Sequence, residues 1–125
     1  MEYLLRYLLL ALAVLTTGTT TLSGCGGKTA CTMEYRYGVT ATVRNATTGS
    51  PITDATAELV DGSYRETMEH FGESGTYSGA GEREGTYTLT VTAPGFQSSA
   101  PRTIEVKGGE CHVTGQQVTI DLTPL

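Results

Sequence analysis

Apolar and polar positions alternate most regularly between Gly85 and Phe96, where Tyr87, Leu89 and Val91 interleave with Thr86, Thr88, Thr90 and Thr92. A period of two places one set on each face of a pleated strand, one buried and one wet. Threonine is β-branched, so it suits extended backbone even where it meets water. Gly85 opens the segment and Pro94-Gly95 closes it, proline presetting φ and glycine accepting a positive value. Upstream, Tyr35, Tyr37, Val39, Ala41 and Val43 predict a second strand, with Arg36, Thr40, Thr42 and Arg44 on its other face. Gly38 interrupts it and is expected to mark a bulge.

The pattern continues in short units. Asn45 to Pro51 is a turn cluster, and Ile52, Ala55, Ala57 and Leu59 predict a strand ending at Asp61-Gly62-Ser63. Tyr64 to Phe71 alternates less cleanly and predicts a strand with a bulge or twist. Gly72 to Gly75 turns, Thr76 to Ser78 is a short strand, and Gly79 to Glu84 is expected to be a flexible acidic loop. Thr103 to Lys107 buries Ile104 and Val106. After the Gly108-Gly109 turn, Glu110 to Leu122 buries Val118, Ile120 and Leu122. About seven short strands and no helical period after residue 24 predict an all-β, antiparallel sandwich.

The first 24 residues have a different character. Arg6 precedes an apolar run from Tyr7 to Leu15, too short to span a bilayer and typical of a signal peptide. Leu22-Ser23-Gly24-Cys25 follows and resembles the lipobox of bacterial lipoproteins. That resemblance implies cleavage before Cys25 and lipid on its thiol, making the membrane a partner. An ordinary secretory signal, leaving Cys25 as a thiol, is the alternative. The resulting division is signal peptide 1–24, lipidated tether 25–30 and domain 31–125. Gly26 follows the cysteine where enteric proteins retained at the inner membrane carry Asp, which favours the outer membrane.

With Cys25 assigned to lipid, Cys31 and Cys111 remain as a pair in an oxidising compartment. A disulfide is expected, against two free thiols or a metal site to which only His112 offers an obvious further ligand. Net charge is −5, and removing residues 1–24 takes one base (Arg6) and one acid (Glu2), leaving it unchanged. An acidic domain disfavours nucleic acid as a partner.

Gly38 to Arg44, with Thr48-Gly-Ser-Pro51 and Ala55, resembles the opening of the carboxypeptidase regulatory-like domain. Gly85-Thr-Tyr87-Thr-Leu89-Thr-Val91, ending in Pro94-Gly95-Phe96, is similar to that family's closing motif. The resemblance implies a transthyretin-like sandwich of about seven strands that is not itself catalytic. The chain departs from the family pattern between Asp61 and Glu84, the stretch where a specific function would sit.

Candidate chemistry is sparse. Asp61, Glu66, Glu69, Glu73, Glu82 and Glu84 are acidic, but no Asp-x-Asp-x-Asp-Gly calcium loop is present. His70 and His112 are the only histidines, and Gly-x-Ser-x-Gly is missing by one residue at Gly72-Glu-Ser-Gly75. No catalytic group, metal or cofactor is therefore assigned. Tyr64, Phe71 and Tyr77 are candidates for an aromatic patch binding sugar or a peptide strand, with core packing expected for at least two of them. These features suit a non-enzymatic, envelope-anchored module that binds a protein or serves a structural role. The alternative is a glycan-binding or glycan-processing accessory. An exposed aromatic row beside carboxylates would favour the accessory, and an unprotected strand edge would favour protein partnering.

Overall fold

The computed structural model describes residues 30–125; the expected signal peptide, the expected lipid site at Cys25 and the expected tether through residue 29 lie outside the described residues. Eight strands follow in order: β1 Tyr37–Asn45, β2 Thr56–Asp61, β3 Tyr64–Thr67, β4 Glu69–His70, β5 Thr76–Gly81, β6 Gly85–Thr92, β7 Arg102–Val106 and β8 Gln116–Leu122. They form two four-stranded sheets, ordered β4-β5-β1-β8 and β3-β2-β6-β7. Each sheet turns its apolar face inward, so the molecule is a β-sandwich.

The alternation in β6 translates directly into packing. Tyr87, Leu89 and Val91 are all fully buried, and β6 lies between β2 and β7 at the centre of its sheet. Leu89 stands opposite Leu59 of β2, and Tyr87 opposite Ile104 of β7. In the facing sheet Val39, Ala41 and Val43 of β1 and Ile120 and Leu122 of β8 complete the core. Each fully buried aliphatic side chain contributes on the order of 1.5–3 kcal/mol.

Five expectations are corrected. The strands number eight because Tyr64 to His70 changes sheets. Thr67 pairs with Glu58 of β2, Met68 turns into the core, and Glu69 pairs with Ser78 of β5 in the opposite sheet. A corner of this kind destroys a single period, which is why Tyr64, Met68 and Phe71 share none. Secondly, the sandwich is not wholly antiparallel: β8 runs parallel to β1, from Val39 opposite Gln116 to Asn45 opposite Leu122. A parallel neighbour requires a crossover, and β6, β7 and the loop at 107–115 supply it by passing through the other sheet.

Thirdly, the flexible loop expected from Gly79 is ordered strand as far as Gly81. A Cβ on Gly79 would lie 2.9 Å from Leu59 Cδ1 and 3.0 Å from Met68 Cγ, so glycine here lets the sheets approach. Gly38 is a close approach too, not a bulge. The register keeps one offset from Tyr37–Gly81 to Val39–Gly79, with no inserted residue, and a Cβ at Gly38 would meet Val106 Cγ1 at 2.7 Å. Finally, the last strand begins at Gln116, because residues 110–113 belong to a loop tied by the Gly108–Val113 bridge.

Candidate functional site

Cys31 and Cys111 form a disulfide across 80 residues, with their Cα atoms 5.1 Å apart. The bond joins the segment before β1 to the 107–115 loop. Glu82, just past β5, clamps the same two segments. Its Oε1 accepts the Arg36 N–H at 2.8 Å and lies 2.6 Å from His112 Nδ1, while Oε2 accepts the Val113 N–H at 3.3 Å. Its backbone N–H donates to the Arg36 carbonyl at 2.9 Å, closing a two-way bond with the pre-β1 segment. On the far side of the ring, His112 Nε2 lies 3.1 Å from Thr32 Oγ1. A depression of about 220 Å³ opens here, lined by Glu82, Glu84, Gly108, Gly109, Cys111, His112 and Val113.

The order Thr32, His112, Glu82 is that of a hydroxyl, a base and an orienting carboxylate. The neighbouring glycine amides, which such a site would aim at an oxyanion, are already engaged. Gly108 N–H donates to Glu84 Oε2 and Gly109 N–H to the His112 carbonyl. Thr32 also stands outside the depression's lining. The arrangement therefore fastens two chain segments.

Partial burial pushes the Glu82 carboxyl up, but the bonds from the Arg36 amide, His112 and the Val113 amide together hold it below its ordinary value. A carboxylate whose folded pKa is depressed adds stability above its unfolded value. That stability disappears as pH falls through the folded value. Glu82→Gln is accordingly expected to flatten the acid limb of the stability curve below about pH 4.3. Urea midpoints measured against pH check this, and parallel acid limbs for both proteins would refute it.

The three aromatic candidates go to three environments and do not make one patch. Tyr77 is in the core, 1% exposed, stacked on His70 with ring centroids 4.6 Å apart. Its hydroxyl donates to the Ile52 carbonyl at 2.9 Å and accepts the Ala55 N–H at 3.0 Å, organising the segment before β2. Tyr77→Phe strands both backbone groups and should cost about 1–2 kcal/mol, read from the unfolding midpoint; an unchanged midpoint would show that water replaces the hydroxyl. Tyr64 is half-buried beneath the Arg83 guanidinium, 3.7 Å from its ring centroid, and Arg83 also pairs with Asp61 at 3.0 Å. Only Phe71 is well exposed, at 60%.

Of the six acidic residues between Asp61 and Glu84, expected as solvated charges, Glu66, Glu82 and Glu84 hold backbone amides, whereas Asp61 and Glu69 bond side chains. Glu66 accepts the Ala80 N–H at 2.7 Å and Glu69 accepts the Tyr37 hydroxyl at 2.9 Å. Among the described residues no cluster of three or more His, Cys, Asp or Glu side chains is placed to hold a metal ion.

A second feature carries no local mark in the sequence. β7 and β8 are edge strands of their respective sheets, as β3 and β4 are at the opposite ends, and they run beside one another. Between them is a groove of about 480 Å³ lined by Arg102 to Glu105, Lys107, Gln116 and Val118. In a strand, a residue's N–H and C=O point to the same side, and successive residues alternate. The Leu122 carbonyl bonds the Ala46 N–H towards β1, whereas the Thr119 carbonyl accepts Arg102 Nη1 from the β7 side at 3.2 Å. Gln117, Thr119 and Asp121 thus present their amides and carbonyls along the open edge.

Comparison with family models finds the carboxypeptidase regulatory-like domain over residues 38–123. The chain belongs to this family. The match runs past Phe96, where the resembling motifs end, through β7, the crossover loop and β8, so Cys111 falls inside it and Cys31 ahead of it. Within this carboxypeptidase regulatory-like domain, the disulfide therefore fastens a segment outside the matched region to a loop within it. Comparison with curated proteins found no match.

Proposed function

We propose that this domain is a non-enzymatic binding module, tethered by lipid on Cys25 to the bacterial envelope, that engages protein partners through a sheet edge. The open edge of β8 supports the reading: the sandwich displays backbone donors and acceptors that no neighbouring strand pairs, in strand geometry, the requirement for strand addition. The lipobox-like Leu22-Ser23-Gly24-Cys25 supports the anchor. With residue 31 held by the disulfide, a tether of six residues reaches roughly 20 Å and keeps the domain near the membrane surface. The outer membrane is favoured over the inner by Gly26.

A glycan-binding accessory is the second reading, drawn from Tyr35. Its ring is 63% exposed and packs edge-on against Tyr37, whose hydroxyl donates to Glu69. In-cell crosslinking of the full lipoprotein, followed by identification of the adducts, separates the two. Recurrent recovery of one or two envelope proteins supports the binding module. Glycan fragments alone support the accessory, and recovery of only lipid and abundant neighbours refutes both.

A further inference from the structure

The β7–β8 groove has a charge signature that specifies its occupant. Arg36, Arg44, Arg65 and Arg83 each pair with a carboxylate: Glu34, Asp121, Glu58 and Asp61 respectively. Arg102 and Lys107 have no such partner among the described residues, and both line the groove. Glu105 stands on the same wall, so two cations face one carboxylate on a chain that is otherwise acidic. Buried Ile104 and half-buried Val118 supply an apolar floor between them.

Arg102 has a particular place in this arrangement. Its guanidinium donates to the Thr119 carbonyl, a neutral acceptor, in the middle of the open edge. While it stays there, it covers one rung of the ladder and protects the edge against indiscriminate pairing. A carboxylate is a stronger, potentially bidentate acceptor for the same group. We propose that β8 accepts an extended segment of a partner protein as an added strand, with an acidic side chain of that segment drawing Arg102 off the Thr119 carbonyl. The freed carbonyl then joins those of Gln117 and Asp121, and the three outward amides, in a continuous ladder. An alternate apolar side chain of the segment rests on Ile104 and Val118. A second copy of the chain is disfavoured, because two molecules of net charge −5 repel and Arg102 guards the edge against unmodified strands. This inference rests on the reading of the domain as a protein-binding module.

The test uses the full chain in detergent and a fluorescent synthetic peptide of alternating valine and threonine with one central glutamate. Anisotropy should show the glutamate peptide binding roughly tenfold tighter than its glutamine counterpart. Arg102→Gln should abolish that difference, leaving the two peptides alike. Methylating alternate backbone nitrogens of the peptide should abolish binding to the unaltered protein, which avoids any question of folding. Gln117→Pro, which removes an outward amide and leaves the bonds to β1, should do the same with an unchanged circular dichroism spectrum. No binding of the glutamate peptide, equal binding of both peptides to the unaltered protein, or insensitivity to methylation would each overturn the proposal. Concentration-dependent self-association abolished by Gln117→Pro would replace the partner strand by a second copy. If Gln117→Pro leaves in-cell crosslinks to an envelope protein intact, the edge fails while the module stands. Failure of the unaltered protein to capture any protein refutes the module itself.

Discussion

Removing the Cys31–Cys111 bridge is expected to lower stability by about 4–5 kcal/mol, the chain-entropy value for a loop of this length. The bond closes a loop across 80 residues, almost the whole domain, so the unfolded chain gains conformational freedom when it is cut. Small domains have roughly 5–15 kcal/mol in total, and the reduced protein should be close to its unfolding threshold at physiological temperature. Urea unfolding of the Cys31→Ser/Cys111→Ser variant against the parent gives the difference directly. A loss under about 1 kcal/mol would show that the remaining contacts already confine the chain ends. The Glu82 clamp joins the same two segments, so Glu82→Gln should cost less in the serine variant than in the parent. Such non-additivity is expected for elements that share partners.

Leu89→Ala should cost about 3 kcal/mol, within the range for emptying a fully buried leucine site. Leu89 has no exposed surface, lies on the central strand β6 and faces Leu59 across the ladder. Both neighbours are held by main-chain hydrogen bonds of their own strands, so the cavity collapses only in part. For a domain of about 100 residues the melting temperature should fall by roughly 12–24 °C. Thr88→Ala, one residue away on the exposed face, is the control and should cost less than about 1 kcal/mol. Similar losses for the two variants would place the core elsewhere than behind β6.

These two effects rest on features legible in the amino-acid sequence. Alternation names the buried face of a strand because side chains project to opposite sides of the pleat, as Tyr87, Leu89 and Val91 demonstrate. It does not name the neighbouring strand. Nothing local in Gln116 to Leu122 says that its partner is β1, or that the two run parallel. By sequence Tyr77 is a candidate ligand-binding ring, because an aromatic carries no mark of which side of the sheet its hydroxyl will find a partner. The answer was a carbonyl at residue 52 and an amide at residue 55. The Glu82–His112 clamp spans 30 residues, and the positive φ of Glu82 that aims it arises from the turn after β5. Only a pairing argument across that distance would have found it.

What the amino-acid sequence determined by itself was the all-β class, the inward face of the principal strands, the cysteines that pair and the family to which the domain belongs. Each follows from local stereochemistry or from residue identity at characteristic spacing. The tertiary structure alone decided the corner at Met68, the parallel placement of β8, the burial of Tyr77, the clamp at Glu82 and the open β8 edge guarded by Arg102. Those depend on which strands become neighbours, a choice made by the summed packing of the whole core, and an edge exists only once every other strand has found its place.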